Sequence, residues 1–358
     1  MIAGRAPKLT LDCIIFGLQR VGGISNYWIK LIEHAMSSPQ LEARLLVPRH
    51  SLGTSLPAAC HFGPTTWREG APARLTRYLP ARVPPGTDLF HTSYYRMPRG
   101  RAATYLVSAY DFTYERYRTG LPRLVHSRQK LASLRRADAV LCISESTRRD
   151  LLEFCPTVDP ARVHVTHLGV DHQAFFPEAH RTEGLDDVLL FVGQRAGYKR
   201  FDLAVQAVRR QTWLRLGIVG PRLSDTERDA LRSDLGLRWH EFGPVDHPTL
   251  RGLYSSAFAF VFPSDYEGFG LPVLEAMACG CPVVAAKNSS LPEVGGAAAL
   301  YAGEQHADEY AQQLARLEDA ALRALMIRSG LARAAEFTWS KTFEQTLDDL
   351  LEYWRSEN

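Results

Sequence analysis

The chain has 358 residues, of which 46% are hydrophobic and 23% are charged, and its formal net charge is +3. This length is sufficient for two domains that each bury a core, and the composition is typical of a soluble globular protein. No apolar run reaches the roughly 18 residues that a membrane-spanning helix needs, so the sequence predicts no such helix.

The charge is unevenly distributed along the chain. Residues 1–177 carry 23 Lys and Arg against 13 Asp and Glu, a balance of +10, and residues 178–358 carry 19 against 26, a balance of −7. Arginines are concentrated between residues 68 and 136, together with Trp, Tyr and Leu. Two interpretations stay open: a surface that binds an anionic membrane or a diphosphate-linked lipid, and a solvated basic face. Nucleic acid is disfavoured because no nucleic-acid-binding motif accompanies the charge.

The six cysteines are scattered through the chain. Cys279 and Cys281 form one C-x-C pair, but no second pair or nearby His completes a zinc pattern. We therefore expect reduced, buried thiols in a cytoplasmic protein.

Strands and helices alternate along the first half. An apolar strand over 9–16 leads through Gly22 and Gly23 into a helix, and a double glycine at such a turn lets a phosphate approach the helix N-terminus. The absence of G-x-G-x-x-G argues against an NAD enzyme. His91 and Asp111 follow two later strands at their carboxyl ends, the edge where parallel sheets bind ligands, although a structural hydrogen-bonding role is the alternative for each.

The second half begins again with a strand from 188. Arg195 and Lys199 follow this strand and precede a helix. Two cations four residues apart at such a turn are suited to neutralising a diphosphate, whereas isolated cations are usually solvated surface residues.

One stretch, FPSDYEGFGLPVLEAMACGCPVVAA over 262–286, predicts a strand, a loop, a short helix and a second strand. Pro272 fits the first helical position and Gly280 the left-handed position after the helix end. The stretch also carries glycines that permit close approach of a ligand, at 268 and 270, and two carboxylates, Glu267 on the loop and Glu275 in the predicted first helical turn. A packing loop with one exposed and one capping Glu is the alternative interpretation.

The pattern E-G-F-G-L-P-x-x-E-A-M-A-C-G-x-P-V in this stretch resembles the signature of retaining nucleotide-sugar glycosyltransferases of family 4. The resemblance implies the α/β GT-B fold, in which two Rossmann-like doubly wound domains face each other across a cleft. It implies an acceptor-binding domain over 1–177, a donor-binding domain over 178–338, and a C-terminal helix over 339–358 that crosses back to the first domain.

The resemblance also assigns roles. It implies that Glu267 contacts the transferred sugar, that Glu275 holds the ribose, and that Arg195 and Lys199 stabilise the leaving diphosphate without a metal. The candidate catalytic residues are Arg195, Lys199, Glu267, Asp111 and His91. The candidate donor-binding residues are Gly22, Gly23, Gly193, Arg195, Lys199, Glu267, Gly268, Phe269, Gly270, Leu271 and Glu275. Many relatives have a His where this chain has Tyr110, so a His contact to the sugar is not expected here.

The function implied is transfer of a hexose, mannose or a related sugar, from a GDP- or UDP-linked donor in surface polysaccharide synthesis, such as that of O-antigen or lipopolysaccharide. The implied acceptor is a glycan or a polyprenyl-diphosphate-linked glycan, and the implied location is the cytoplasm, with peripheral contact of the basic domain to the inner membrane face. The alternatives are a nucleotide-sugar epimerase or hydrolase with the same fold, and a non-catalytic scaffold subunit.

Overall fold

The computed structural model describes residues 5–19, 22–50, 65–100, 104–303 and 306–357. Cys60, for which the sequence predicts a reduced thiol, lies outside the described residues, as does part of the tract rich in Pro and Gly over residues 48–86. The chain divides into two compact units, which we call unit 1 (Met1–Leu168 with Trp339–Asn358) and unit 2 (Gly169–Thr338). The division lies before the predicted boundary at 177, and Val170 N donates to Phe337 O within unit 2, over 3.1 Å.

Unit 1 contains one parallel sheet. Its seven strands have the order β3-β2-β1-β4-β5-β6-β7 and are β1 Lys8–Asp12, β2 Glu42–Val47, β3 Thr66–Arg68, β4 Leu89–Thr92, β5 Thr104–Ala109, β6 Ala139–Cys142 and β7 Val163–Val165. The central strands β4 and β6 are buried along their whole length because both faces of a parallel sheet are covered. The predicted first strand ends early, at Asp12, because a 3₁₀ turn over Ile14–Gly17 takes over.

Helices connect these strands, as the alternating pattern predicts. They are α1 Gly23–Ser37, α2 Ala73–Thr76, α3 Thr113–Tyr117, α4 Gly120–Arg136 and α5 Glu145–Phe154. In α1 the buried residues Tyr27, Trp28, Leu31 and Ile32 recur at helical spacing. Ser144 caps α5, since its Oγ accepts a hydrogen bond from Thr147 N at 3.0 Å.

Unit 2 contains a second parallel sheet, of six strands in the order β10-β9-β8-β11-β12-β13. They are β8 Val188–Val192, β9 Arg215–Val219, β10 Trp239–Gly243, β11 Ala259–Phe262, β12 Val283–Ala286 and β13 Leu300–Ala302. The helices are α6 Phe201–Arg210, α7 Asp225–Leu235, α8 His247–Ser256, α9 Leu271–Ala278, α10 Leu291–Gly295, α11 Ala307–Arg316 and α12 Ala320–Ala335. The core of the unit includes Phe191, Ile218 and the apolar face of α6, all buried.

The last helix, α13 (Trp339–Glu357), belongs to unit 1, as predicted. The Trp339 ring lies 6.1 Å from that of Tyr27 on α1, measured between centroids. Thr342 Oγ1 donates to His167 O over 2.8 Å, and His164 Nδ1 lies 3.3 Å from Asp349 Oδ1. The prediction of two doubly wound α/β domains with a returning C-terminal helix is therefore confirmed.

The ends of β8 and β9 approach each other so closely that glycine is required. Gly220 has φ +147°, and a Cβ built on it would lie 2.3 Å from Gly193 O. We expect Gly220→Ala to lower the free energy of unfolding by about 1–3 kcal/mol, because backbone has to move. Thermal unfolding measures the effect. Gly252→Ala, on α8 with open space around it, is the control and should be neutral or stabilising. Equal stability of the two variants would contradict the prediction.

Candidate active site

The strand order of unit 2 reverses direction next to β8. The chain moves from β8 outward through β9 and β10, then returns to the other side of β8 and continues through β11, β12 and β13. The loops that follow β8 and β11 therefore leave in opposite directions, and the crevice between them is where open α/β sheets bind ligands. The first loop carries Gly193, Arg195 and Lys199, and the second carries the glycine-rich run from Glu267 to Leu271.

Side chains and backbone join these two loops. Lys199 Nζ lies 2.5 Å from Glu267 Oε1, and both side chains are largely buried, with 19% and 13% exposed. Asp265 N donates to Tyr198 O over 2.7 Å, and Arg200 Nη1 lies 3.3 Å from Asp265 Oδ1. The structure thus brings together the predicted cation and the predicted carboxylate of the site.

A third loop, after β12, supports the second one. Ser290 Oγ donates to Phe269 O over 2.7 Å and to Glu267 O over 2.9 Å, while Ser289 Oγ accepts from Glu267 N at 3.0 Å. Asn288 Nδ2 donates to Ser264 O over 3.1 Å. Sequence reasoning assigned no role to these three polar residues. The feature of the sequence that could have indicated a role is their position directly after the buried strand β12, at the same edge of the sheet as the other two loops.

Helix α9 begins where the glycine-rich loop ends. Gly270 has φ +104°, and a Cβ on it would lie 2.8 Å from Leu291 Cδ2, so glycine is required here. The helix starts at Leu271, so Pro272 is its second residue, one position later than predicted. Gly280 has φ +74° and follows the helix end in the predicted left-handed conformation. An eight-residue helix with its N-terminus at this edge offers partial positive charge to a ligand.

Glu275 is the fifth residue of α9 and therefore lies in its second turn, not the first as predicted, because the helix begins at Leu271. Its carboxyl group is half-buried and has no hydrogen-bond partner among the described residues. Burial raises the pKa of Glu275 to about 7. A half-buried carboxylate with unused oxygens is suited to accepting hydrogen bonds from ligand hydroxyl groups.

Arg195 is engaged elsewhere in unit 2. Its guanidinium makes hydrogen bonds to Glu227 Oε1 at 2.7 Å and Oε2 at 3.4 Å, and to the carbonyl oxygens of Pro221 at 2.8 Å and Arg222 at 3.1 Å. Glu227 also accepts from Ser224 N in the capping box of α7, and these partners hold the pKa of Glu227 at about 2. Sequence reasoning missed Glu227, whose only signal is the Ser-x-x-Glu spacing of the cap.

The unit 1 candidates occupy the corresponding edge of their own sheet. Gly23 opens α1, and Gly22 before it exchanges two hydrogen bonds with Ser25, both of 2.9 Å. Asp111 Oδ1 accepts from Thr113 N at 2.9 Å, the structural bond that the sequence left open as an alternative. His91 lies within β4, fully buried, where Nε2 is 2.9 Å from Ser108 Oγ and burial lowers its pKa to about 3. The roles of these residues in catalysis stay predictions.

Tyr110, which stands where many relatives have His, is also buried. Its hydroxyl oxygen accepts a hydrogen bond from Trp28 Nε1 at 2.5 Å, and burial raises its pKa. The phenol therefore fixes α1 to the end of β5 and stays neutral across the physiological range.

Three further findings bear on the site and the whole chain. Among the described residues, no group of three or more His, Cys, Asp or Glu side chains is arranged to hold a metal ion. No helix in the described ranges is both long enough and apolar enough to cross a bilayer. Cys13, Cys142, Cys155, Cys279 and Cys281 are free thiols and are buried.

The fold and the site define the class of protein. Two parallel α/β units, one of which has a cation, a carboxylate and a helix N-terminus at its switch point, are typical of two-domain enzymes that bind phosphorylated ligands.

Comparison with known proteins agrees with this class. Residues 21–174 match the family model "Glycosyltransferase Family 4", and residues 173–331 match "Glycosyl transferases group 1". The chain superimposes on sucrose-phosphate synthase from Thermosynechococcus elongatus with a TM-score of 0.77 at 21% identity, over 98% of this chain and 100% of that one.

Two curated relatives match over part of their length. O-antigen chain mannosyltransferase B of Escherichia coli is 46% identical over 107 residues, which are 30% of this chain and 28% of the relative. D-inositol 3-phosphate glycosyltransferase of Mycobacterium avium is 34% identical over 230 residues, 59% of this chain and 54% of the relative. The matches thus span about half or less of these relatives. The chain belongs to the GT-B glycosyltransferases that join a family 4 domain to a group 1 domain.

The raised pKa of Glu275 predicts a pH-dependent stability. A carboxyl whose folded-state pKa is raised from 4.5 to about 7 contributes stability that is present below the unfolded value and is lost as the pH rises through about 7. Glu275→Gln has no carboxyl group and does not lose this stability. The melting temperature of the variant minus that of the unmodified protein should therefore increase from pH 5 to pH 8.

Thermal unfolding across this pH range checks the prediction, with Glu183→Gln at an exposed position of unit 2 as the control. A difference between Glu275→Gln and the unmodified protein that stays constant with pH would show that Glu275 is already ionised in the folded state.

Proposed function

We propose that the protein is a retaining glycosyltransferase that moves a hexose, mannose or a related sugar, from a GDP- or UDP-linked donor to an acceptor. The acceptor is a glycan or a polyprenyl-diphosphate-linked glycan in bacterial surface polysaccharide synthesis, such as that of O-antigen or lipopolysaccharide. The protein acts in the cytoplasm at the inner face of the membrane. The observation that carries the proposal is the Lys199–Glu267 pair, which joins the two switch-point loops of unit 2 beside the N-terminus of α9.

The chemistry requires positive charge on the leaving group. The bond between the anomeric carbon and the diphosphate oxygen breaks while the acceptor oxygen bonds to that carbon on the same face, and the acceptor proton passes to the departing phosphate. Negative charge develops on the leaving oxygens, and the Lys199 ammonium and the α9 amides are positioned to stabilise it. In this proposal these groups, with Arg195, take the place of a metal ion.

Glu267 has a positioning role in the same proposal. It is held on both sides, through its carboxylate by Lys199 and through its backbone by Ser289 and Ser290, so its orientation is fixed before a ligand arrives. Glu275, with its unused carboxylate oxygens, holds the ribose hydroxyls. Mannose is favoured among the donor sugars by the E. coli relative, whose name specifies a mannosyltransferase.

A panel of GDP- and UDP-sugars tests the function. We expect one donor to be turned over with a polyprenyl-diphosphate-linked acceptor, and Lys199→Met and Glu267→Gln each to lower turnover by roughly 10²–10³. Release of nucleoside diphosphate measures turnover, and Arg209→Met, on an exposed position of α6, is the matched control. Added EDTA should leave the rate unchanged, and the product should keep the donor's anomeric configuration by NMR.

Other outcomes of this panel identify the alternatives. Release of sugar without transfer to any acceptor would make the protein a nucleotide-sugar hydrolase, and a change of the sugar on the nucleotide would make it an epimerase. Failure of every donor to bind in calorimetry would favour the scaffold function and contradict the proposal.

The position of Arg195 leads to a separate prediction. A guanidinium has five N–H donors, and Arg195 already makes four hydrogen bonds, two of them to Glu227, so a diphosphate that binds Arg195 through two N–H groups competes with this carboxylate. Glu227→Gln removes the competing charge, while glutamine can still serve in the capping box of α7. We expect this variant to bind GDP or UDP about tenfold more tightly, which corresponds to about 1.4 kcal/mol.

Isothermal titration calorimetry measures this affinity. The control is Asp308→Asn, at an exposed residue of α11 that forms an ion pair with Arg210. Weaker binding by Glu227→Gln would mean that Glu227 orients Arg195 for the ligand instead of competing with it.

A further inference from the structure

Large apolar side chains are exposed on one part of unit 1. Leu75 lies in α2, Tyr78 and Leu79 come directly after it, and Leu121, Leu124 and Val125 lie at the start of α4. Between 43% and 72% of each residue is exposed, and we call these six residues the apolar patch. A folded chain that acts alone rarely exposes so many large apolar groups together, and such patches mark binding surfaces.

The two halves of the apolar patch are neighbours. Gln129 of α4 donates through Nε2 to Arg77 O, at the end of α2. The Arg77 guanidinium lies 4.8 Å from the centroid of the Tyr94 ring, which in turn lies 5.7 Å from the ring of His126 on α4. These contacts hold the end of α2 beside α4, so the six side chains belong to one surface.

The beginning of α4 is exposed on every side. Residues 120–125 are all exposed, and the helix becomes buried only from His126 onward, where Lys130, Ser133 and Leu134 pack into the unit. The first turns of this helix therefore present Leu121 and Leu124 to solvent without a covering element among the described residues.

The charge exposed beside the patch is positive. Arg74, Arg118, Arg123 and Arg128 are all exposed. The only acidic residues between 73 and 128 are Asp88, Asp111 and Glu115, and each is engaged within the unit. Asp88 binds Arg5, Asp111 accepts from Thr113 N, and the buried Glu115 binds Lys130 Nζ at 3.0 Å.

We propose that the apolar patch and its four arginines dock the protein on an anionic lipid bilayer. The leucines enter the boundary between headgroups and acyl chains, and the arginines bind the headgroup phosphates, since their apolar stems can lie along the bilayer while the charge stays at the surface. A nucleic acid would use the arginines but would leave the leucines in water. The inference deepens the proposed function, because a lipid-linked acceptor lies in such a bilayer.

Sedimentation with vesicles tests the docking. The full-length protein is mixed with vesicles of phosphatidylcholine, or of phosphatidylcholine and phosphatidylglycerol, without any donor. Because each cation near an anionic surface changes the partition coefficient about fivefold, we expect at least about tenfold more binding to the mixed vesicles. Raising the salt concentration should weaken this binding.

Two pairs of substitutions separate the apolar and the charged contributions. Leu121→Ser with Leu124→Ser, and Arg123→Glu with Arg128→Glu, should each lower the partition coefficient about tenfold or more. The matched controls lie in unit 2: Leu237→Ser, at a residue that is 94% exposed, and Arg209→Glu should bind as the unmodified protein does. All changed side chains are exposed, and circular dichroism verifies that the variants fold.

Several results would overturn the inference. One is binding that is equal for the two kinds of vesicle, and another is binding that the patch variants retain. A third is a dimer in light scattering that the patch variants convert to a monomer, because the patch would then be an interface between copies. Since the vesicle assay contains no donor, loss of donor turnover with intact vesicle binding contradicts the proposed function alone, and the reverse result contradicts this inference alone.

Discussion

The site depends on the reversal of strand order beside β8. Because β9 and β11 flank this strand, the loops after β8 and β11 separate at the carboxyl edge, and only then can a cation on one face a carboxylate on the other. Lys199 and Glu267 use this geometry, and the serines after β12 fix the second loop from behind. In unit 1 the same reversal occurs between β1 and β4, where Ile15 N donates to Ser93 Oγ over 3.0 Å.

Most of the architecture could be predicted because strong local signals and the overall topology agree. Buried strands such as β8 and β12 are short apolar runs, and the capping residues Ser144 and Gly280 mark helix ends. The elements that were missed have no such signal. β3 has three residues on the edge of its sheet, β10 begins with Trp-His-Glu and is only partly buried, and α2 spans a single turn. Tertiary contacts determine these elements, and a single sequence does not display those contacts.

The residue types of the candidate site and their positions in the chain were predictable, but the ion pairs and hydrogen bonds between their side chains were not. The sequence placed Arg195 and Lys199 four residues apart, and nothing local indicates that one binds Glu227 while the other binds Glu267. The direction of each side chain depends on which loop lies beside it, and this is a property of strand order. Burial of His91 has the same origin, since strands on both sides and the ring of Trp28 enclose it. Long-range pairing of polar groups is thus the part that sequence patterns specify least.

The charge distribution suggests that the two binding events respond differently to salt. Residues 178–338, the proposed donor-binding domain, carry 21 acidic against 17 basic residues, so the net field of this domain does not attract an anionic donor. Attraction must come from a few largely buried groups, Lys199 and the α9 amides, which salt screens weakly. The four arginines beside the apolar patch are exposed, and salt screens their attraction to an anionic surface over about 8 Å at physiological ionic strength. An increase in ionic strength should therefore release the protein from a membrane while donor binding persists, which makes surface attachment the more sensitive of the two steps.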